Sequence, residues 1–165
     1  MKNKLTAIFA SAILLSIFTV QAFASNPDFS GTWTLDKSKS AGLPAGMDQI
    51  MTIKQTGDKI SLETKLITDD GEQIVPDLYV LDDKEAEFTP KTQNGASAKG
   101  KRRAKWTSDG IEVIESATFD TPDGAVTTKV TRKWTISADA KTLQIELNIE
   151  SPKGAQNIKR IFNKQ

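Results

Sequence analysis

From residue 28 onward the chain alternates apolar and polar positions in short runs separated by turn residues. Phe29, Gly31, Trp33 and Leu35 share one phase of a two-residue period, the pattern of a strand with one buried face. The same period returns with Met51 and Ile53, then with Ile60, Leu62, Thr64 and Leu66. Glu72 to Leu81 is the next run, interrupted by Pro76; proline lacks a ladder donor, so this strand belongs at an edge or carries a bulge. Ala86 and Phe88 mark a short strand. Between Lys99 and Thr107, Arg102, Ala104 and Trp106 share one face, and Lys99, Lys101, Arg103 and Lys105 share the other. Ile111, Val113, Glu115, Ala117 and Phe119 are in phase, as are Val126, Thr128, Val130, Arg132, Trp134 and Ile136. Leu143, Ile145, Leu147 and Ile149 follow, and Gln156 to Phe162 closes the series.

Nearly every junction is hairpin-sized, with turn signals such as Thr56-Gly57-Asp58, Asp69-Asp70-Gly71 and Ser108-Asp109-Gly110. Strands adjacent in sequence are therefore expected to pair antiparallel. The expected fold is all-β: an antiparallel up-and-down meander closing into a single small barrel of about 8–10 strands. An immunoglobulin-like sandwich fits the same spacing less well. The longest connection, Asp36 to Gly46, reads as a surface crossover or a lid, and Thr92 to Ala98 reads as a second loop.

The first residues follow a different pattern. Lys2 and Lys4 precede an apolar run from Leu5 to Val20, and Ala22-Phe23-Ala24 offers a small-x-small cleavage site. Residues 1–24 are expected to be a signal peptide and 25–165 the barrel domain, with no integral membrane segment after cleavage. That places the protein in the periplasm or outside the cell, as a monomer. The remaining stretch of about 140 residues is long enough to bury its own core without disulfides.

Charge and chemistry then narrow the function. Removing Lys2 and Lys4 from the 22 basic residues leaves 20 against 21 acidic ones, a net charge of −1. This argues against nucleic acid as a partner, which calls for a basic excess. The chain has neither His nor Cys. That removes Ser-His-Asp and Cys-His catalysis and the usual zinc ligands, so no metal, no cofactor and no catalytic residue are expected. The acidic turns Asp69-Asp70, Asp82-Asp83 and Asp120/Asp123 lack calcium-loop spacing and read as turn chemistry. The Lys99–Lys105 stripe reads as a solvated outer face.

The Gly31-x-Trp33 opening resembles that of the calycin barrels: lipocalins, fatty-acid-binding proteins and avidins. In many of these an Arg on the final strand packs across the first-strand Trp. Here Arg160 is in phase with Ile158 and Phe162 on the last strand. The resemblance implies that Gly31, Trp33 and Arg160 close one end of the barrel, and that the interior takes a small hydrophobic or carboxylate-bearing ligand. An interaction module of the same fold, such as a periplasmic protease inhibitor, is the alternative; a barrel enzyme is the remote one.

Within the inward phase, the polar exceptions single out candidate ligand-binding residues: Arg132 flanked by Val130 and Trp134, with Glu115 and Thr128 nearby. A guanidinium in an apolar cavity can receive a carboxylate through two parallel hydrogen bonds. The competing role is an internal Arg132–Glu115 pair that neutralises both charges.

Overall fold

The computed structural model describes residues 26–90, 98–122 and 124–165. The expected signal peptide, most of the expected 92–98 loop and Asp123 of the acidic turn lie outside the described residues. Ten strands follow one another: β1 (Gly31–Leu35), β2 (Asp48–Thr56), β3 (Lys59–Thr68), β4 (Gly71–Val80), β5 (Ala86–Phe88), β6 (Ala98–Trp106), β7 (Gly110–Thr121), β8 (Gly124–Ile136), β9 (Thr142–Ser151) and β10 (Gly154–Lys164). No helix occurs among the described residues.

All ten form one antiparallel sheet in the order β4-β3-β2-β1-β10-β9-β8-β7-β6-β5. This is a meander in which the first strand pairs with the last, Trp33 facing Lys164 and Leu35 facing Phe162. The sheet curls into a nearly closed barrel. Its two end strands, β4 and β5, are consecutive in sequence and share no ladder. Across that seam run an isolated bridge between Asp82 and Lys105 and a bond from the Asp83 amide to the Ala104 carbonyl at 3.0 Å.

Pro76 falls on the end strand β4, where its missing donor breaks no ladder. The free edge is also occupied at Leu78. The Leu78 amide donates to Asp77 Oδ1 at 2.9 Å, and the Leu78 carbonyl accepts from Arg102 Nη1 at 3.1 Å. An edge so occupied is a poor template for another strand.

The alternating pattern buries one face of most strands. Phe29, Trp33, Ile60, Ile111, Val113, Leu143 and Phe162 are all essentially sealed from solvent. Burial of each such side chain contributes roughly 1.5–3 kcal/mol. Trp134 lies edge-on to Tyr79, with centroids 5.7 Å apart, and also meets Phe29 at 6.3 Å. The Trp33 indole donates to the Phe29 carbonyl at 2.9 Å, which satisfies its buried N–H. One end of the barrel is thus filled with aromatic and aliphatic side chains.

The 36–47 connection is tied along β10. The Ile161 amide donates to Ser40 Oγ at 2.9 Å and the Ala41 amide to the Lys159 carbonyl at 2.9 Å, while Leu43 packs against the core.

Candidate functional site

Above the filled end the alternation carries charged side chains inward from four strands. Asp77 of β4, Arg102 of β6, and Glu115 and Arg132 of β7 and β8 meet in one layer across the barrel. Register brings them together: Arg102 faces Glu115 across β6–β7, and Arg132 faces Val113, next inward neighbour of Glu115, across β7–β8.

Glu115 is the buried member, 6 % exposed. It accepts from Arg102 Nε at 2.6 Å and forms a salt bridge with Arg132 Nη1. Arg102 also grips Asp77 with both terminal nitrogens, at 2.7 and 3.0 Å. Its guanidinium lies between two rings, 4.6 Å from the Tyr79 centroid and 4.3 Å from that of Phe88. Burial works against the charge of Arg102, but the Asp77 hydrogen bond and the Glu115 charge outweigh it and hold its pKa above the ordinary value. Burial pushes the Tyr79 phenol up, so it stays protonated beside these charges. The layer is neutral overall: two guanidiniums against two carboxylates.

The structure thus joins Arg132 and Glu115 as an internal pair and commits Arg132 Nη1 to it. Thr128 and Val130 line a cavity of about 360 Å³ on one side of the charged layer, with Glu115 and Arg132 in its wall. Trp134 is a core residue, but its edge reaches a second cavity of about 310 Å³ on the other side, with Ile145 and Leu147. Val75, Asp77 and Arg132 are common to both walls.

Sequence reasoning did not single out Asp77 or Arg102. Arg102 does share its phase with Ala104 and Trp106, which was the available signal. Asp77 follows Pro76, whose interruption obscured the phase of that strand.

Arg160 points into the second cavity rather than onto Trp33. The expected stacking is made by Lys164, whose Nζ lies 5.1 Å from the Trp33 ring centroid. The physical reason is register: Lys164, not Arg160, is the cross-strand neighbour of Trp33, and Arg160 sits four residues further along β10. Gly31 serves the same contact. A Cβ there would stand 2.6 Å from Lys164 Cε, and its backbone has φ +138°, a conformation that L side chains rarely adopt.

Arg160 donates from Nη2 to the Gly42 carbonyl at 3.2 Å, so it also ties down the 36–47 loop. Its Nε and Nη1 are buried and have no hydrogen-bond partner. Burial lowers its pKa. No acidic side chain forms a salt bridge with it among the described residues. The cavity beside it is walled mainly by apolar side chains, among them Met47, Met51, Leu62 and Leu66.

The outer lysine stripe is occupied locally. Lys101 pairs with Glu85 at 2.7 Å, Arg103 with Asp83 at 3.4 Å and Lys105 with Glu112 at 3.2 Å.

No family model and no curated protein matches the chain. Solved structures do. Zebrafish ileal bile acid-binding protein complexed with cholic acid aligns at 17 % identity and a TM-score of 0.50, over 83 % of this chain and 98 % of that one. The fatty-acid-binding protein of Manduca sexta aligns at 16 % identity and a TM-score of 0.42, over 82 % and 99 %. Secretory abundant heat soluble protein 4 of Ramazzottius varieornatus aligns at 17 % identity and a TM-score of 0.45, over 82 % and 94 %. At such an identity the likeness to the zebrafish protein establishes the fold alone, a single small antiparallel barrel.

Proposed function

We propose that this chain is an exported, non-enzymatic barrel that carries a small amphipathic molecule with an acidic group, held in the 310 Å³ cavity by Arg160. The observation that carries the reading is the pair of buried, unpartnered donors on Arg160, opening on an apolar space. Unsatisfied buried donors cost free energy, and a carboxylate bound at either edge of the guanidinium satisfies one of the two with a charge-assisted bond. The volume lies within the range of about 300–1,000 Å³ usual for ligand pockets. An apolar body has Met51, Leu62 and Leu66 to lie against. The zebrafish protein of the same fold was solved with cholic acid, an acid with a large apolar body, which supports an occupant of this kind.

Arg132 does not serve as the anchor in this reading, because Glu115 already takes its Nη1. Export rests on residues 1–24, and the lack of catalysis on a chain without His or Cys. The exposed row Ile74, Leu78 and Val80 on β4 is the observation that favours a protein-interaction role instead.

The test is titration of the protein with dodecanoic acid and with dodecanol, followed by displacement of a fluorescent fatty-acid analogue. The acid is expected to bind, and Arg160→Met to weaken it at least tenfold while leaving dodecanol within twofold. Absence of binding by any acid, or an Arg160→Met variant with wild-type affinity, would overturn the reading.

A further inference from the structure

The 360 Å³ cavity on the far side of the charged layer is not the space that Arg160 faces. Its apolar wall is made by Val75, Phe88, Phe119 and Val130, with the hydroxyls of Thr89 and Thr128 among them. Its polar wall is the layer of Asp77, Arg102, Glu115 and Arg132. The two cavities have three wall residues in common, Val75 and the layer's Asp77 and Arg132.

We propose that this cavity is a second, independent ligand site, selective for a neutral molecule with an apolar or aromatic body and one hydrogen-bonding N–H or oxygen.

The selectivity follows from the charges. Arg102 spends Nε on Glu115, Nη1 on Asp77 and the Leu78 carbonyl, and Nη2 on Asp77 and Glu115, which uses all five N–H groups. It has no donor left for a guest. Arg132 gives Nη1 to Glu115. Two cations and two anions cancel, so a guest carboxylate entering here meets Glu115 and Asp77 as well as the guanidiniums. It loses its hydration and gains no net attraction. A neutral guest avoids that loss. Its polar group can hydrogen-bond to Thr128 or Thr89, and its body lies against Phe88 and Phe119. Arg160, by contrast, is an unbalanced cation on the other side of the layer. The same barrel interior is therefore divided into an anion-accepting compartment and a neutral one.

The experiment uses two probes on the exported chain: neutral N-phenyl-1-naphthylamine and the anionic 11-(dansylamino)undecanoic acid. Native mass spectrometry and fluorescence titration are expected to find both bound at once, one of each per chain. Thr128→Trp, which fills the neutral cavity, is expected to weaken the naphthylamine at least tenfold and the dansyl acid less than twofold. Arg160→Met is expected to do the reverse. Should Thr128→Trp fail to fold, Val130→Phe tests the same space from the neighbouring inward position. Mutually exclusive binding of the two probes, or naphthylamine binding that survives both filling substitutions, would overturn the second site. Failure of the wild-type chain to bind the dansyl acid while it binds the naphthylamine, or an Arg160→Met variant that keeps the dansyl acid, would instead overturn the Arg160 reading, so the two proposals fail separately.

Discussion

Glu115 and Arg132 form one ion pair, yet their removal is expected to have unequal consequences. Glu115 neutralises two cations. With Glu115→Gln, Arg102 keeps both bonds to Asp77, but Arg132 is left without its acidic partner inside the barrel. A buried charge stranded in this way costs about 3–5 kcal/mol, and the 26 % accessibility of the Arg132 side chain puts the expected loss near the low end, about 3 kcal/mol. With Arg132→Met, Glu115 still accepts from Arg102 at 2.6 Å. The loss is one charge-assisted bond, partly offset by burying the thioether, about 1 kcal/mol. For a chain of this length the gap of about 2 kcal/mol corresponds to roughly 6–8 °C in Tm. The double variant Glu115→Leu/Arg132→Met leaves Arg102 and Asp77 as a balanced pair. It is expected within about 1 kcal/mol of wild type, since apolar replacement of a whole buried pair is often neutral. Urea unfolding of the four proteins at one pH measures all of this. If Arg132→Met loses as much stability as Glu115→Gln, or the double variant is the least stable of the set, the shared-acid account of the layer is refuted.

Arg102→Met removes the side chain that ties β6 to β4 across the seam without a ladder; a loss of about 2–3 kcal/mol is expected, with faster amide hydrogen exchange confined to β4 and β5. Unchanged exchange at Leu78 would count against the tie. Trp33→Ala empties the filled end and is expected to cost about 3–5 kcal/mol in urea unfolding, whereas Lys164→Ala removes only a cation over the ring and is expected to cost less than about 1 kcal/mol. For Asp36, the Ser38 hydroxyl at 2.6 Å, with help from Lys39 and Asn163, holds the carboxyl well below the usual carboxylate range. A depressed folded pKa means a contribution present above the unfolded value of about 3.9 and lost as pH falls through the folded one. Wild type and Asp36→Asn are therefore expected to differ in stability at neutral pH and to converge in strong acid, and curves that stay parallel throughout would exclude the linkage.

The strands were legible because the two-residue period survives nearly intact along them. The inward sets read from the sequence, such as Ile60, Leu62, Thr64 and Leu66 or Ile111, Val113, Glu115, Ala117 and Phe119, run through burial as alternation requires. The meander order was legible from turn lengths alone, because a hairpin-sized connection leaves antiparallel neighbours as the only economical pairing. The charged layer was legible only in part. Two of its four members lie on strands with an unbroken period, and both were found. Asp77 was hidden by Pro76. Arg102 was placed on one face with Ala104 and Trp106, but the polar run Lys99 to Lys105 around it left no apolar flanks like those that marked Arg132 as an exception.

The exchange of Lys164 for Arg160 at Trp33 has a different origin. On a strand, residues four apart share a face, so Arg160 and Lys164 are equally eligible by phase to meet the first-strand indole. Which of them does so depends on the stagger between β1 and β10, and these strands are separated by almost the whole chain. No hairpin turn sets that stagger. It is fixed by packing: Phe162 opposite Leu35 and Lys164 opposite Trp33, with Gly31 leaving space for the lysine stem. The same stagger moves Arg160 four residues, roughly 13 Å, away from the filled end. There it enters the cavity between Met51 and Leu66 with two donors unpaired. The register that takes Arg160 away from a structural role is thus what leaves a cation available to a ligand, a consequence of long-range pairing that no local pattern in the sequence carries.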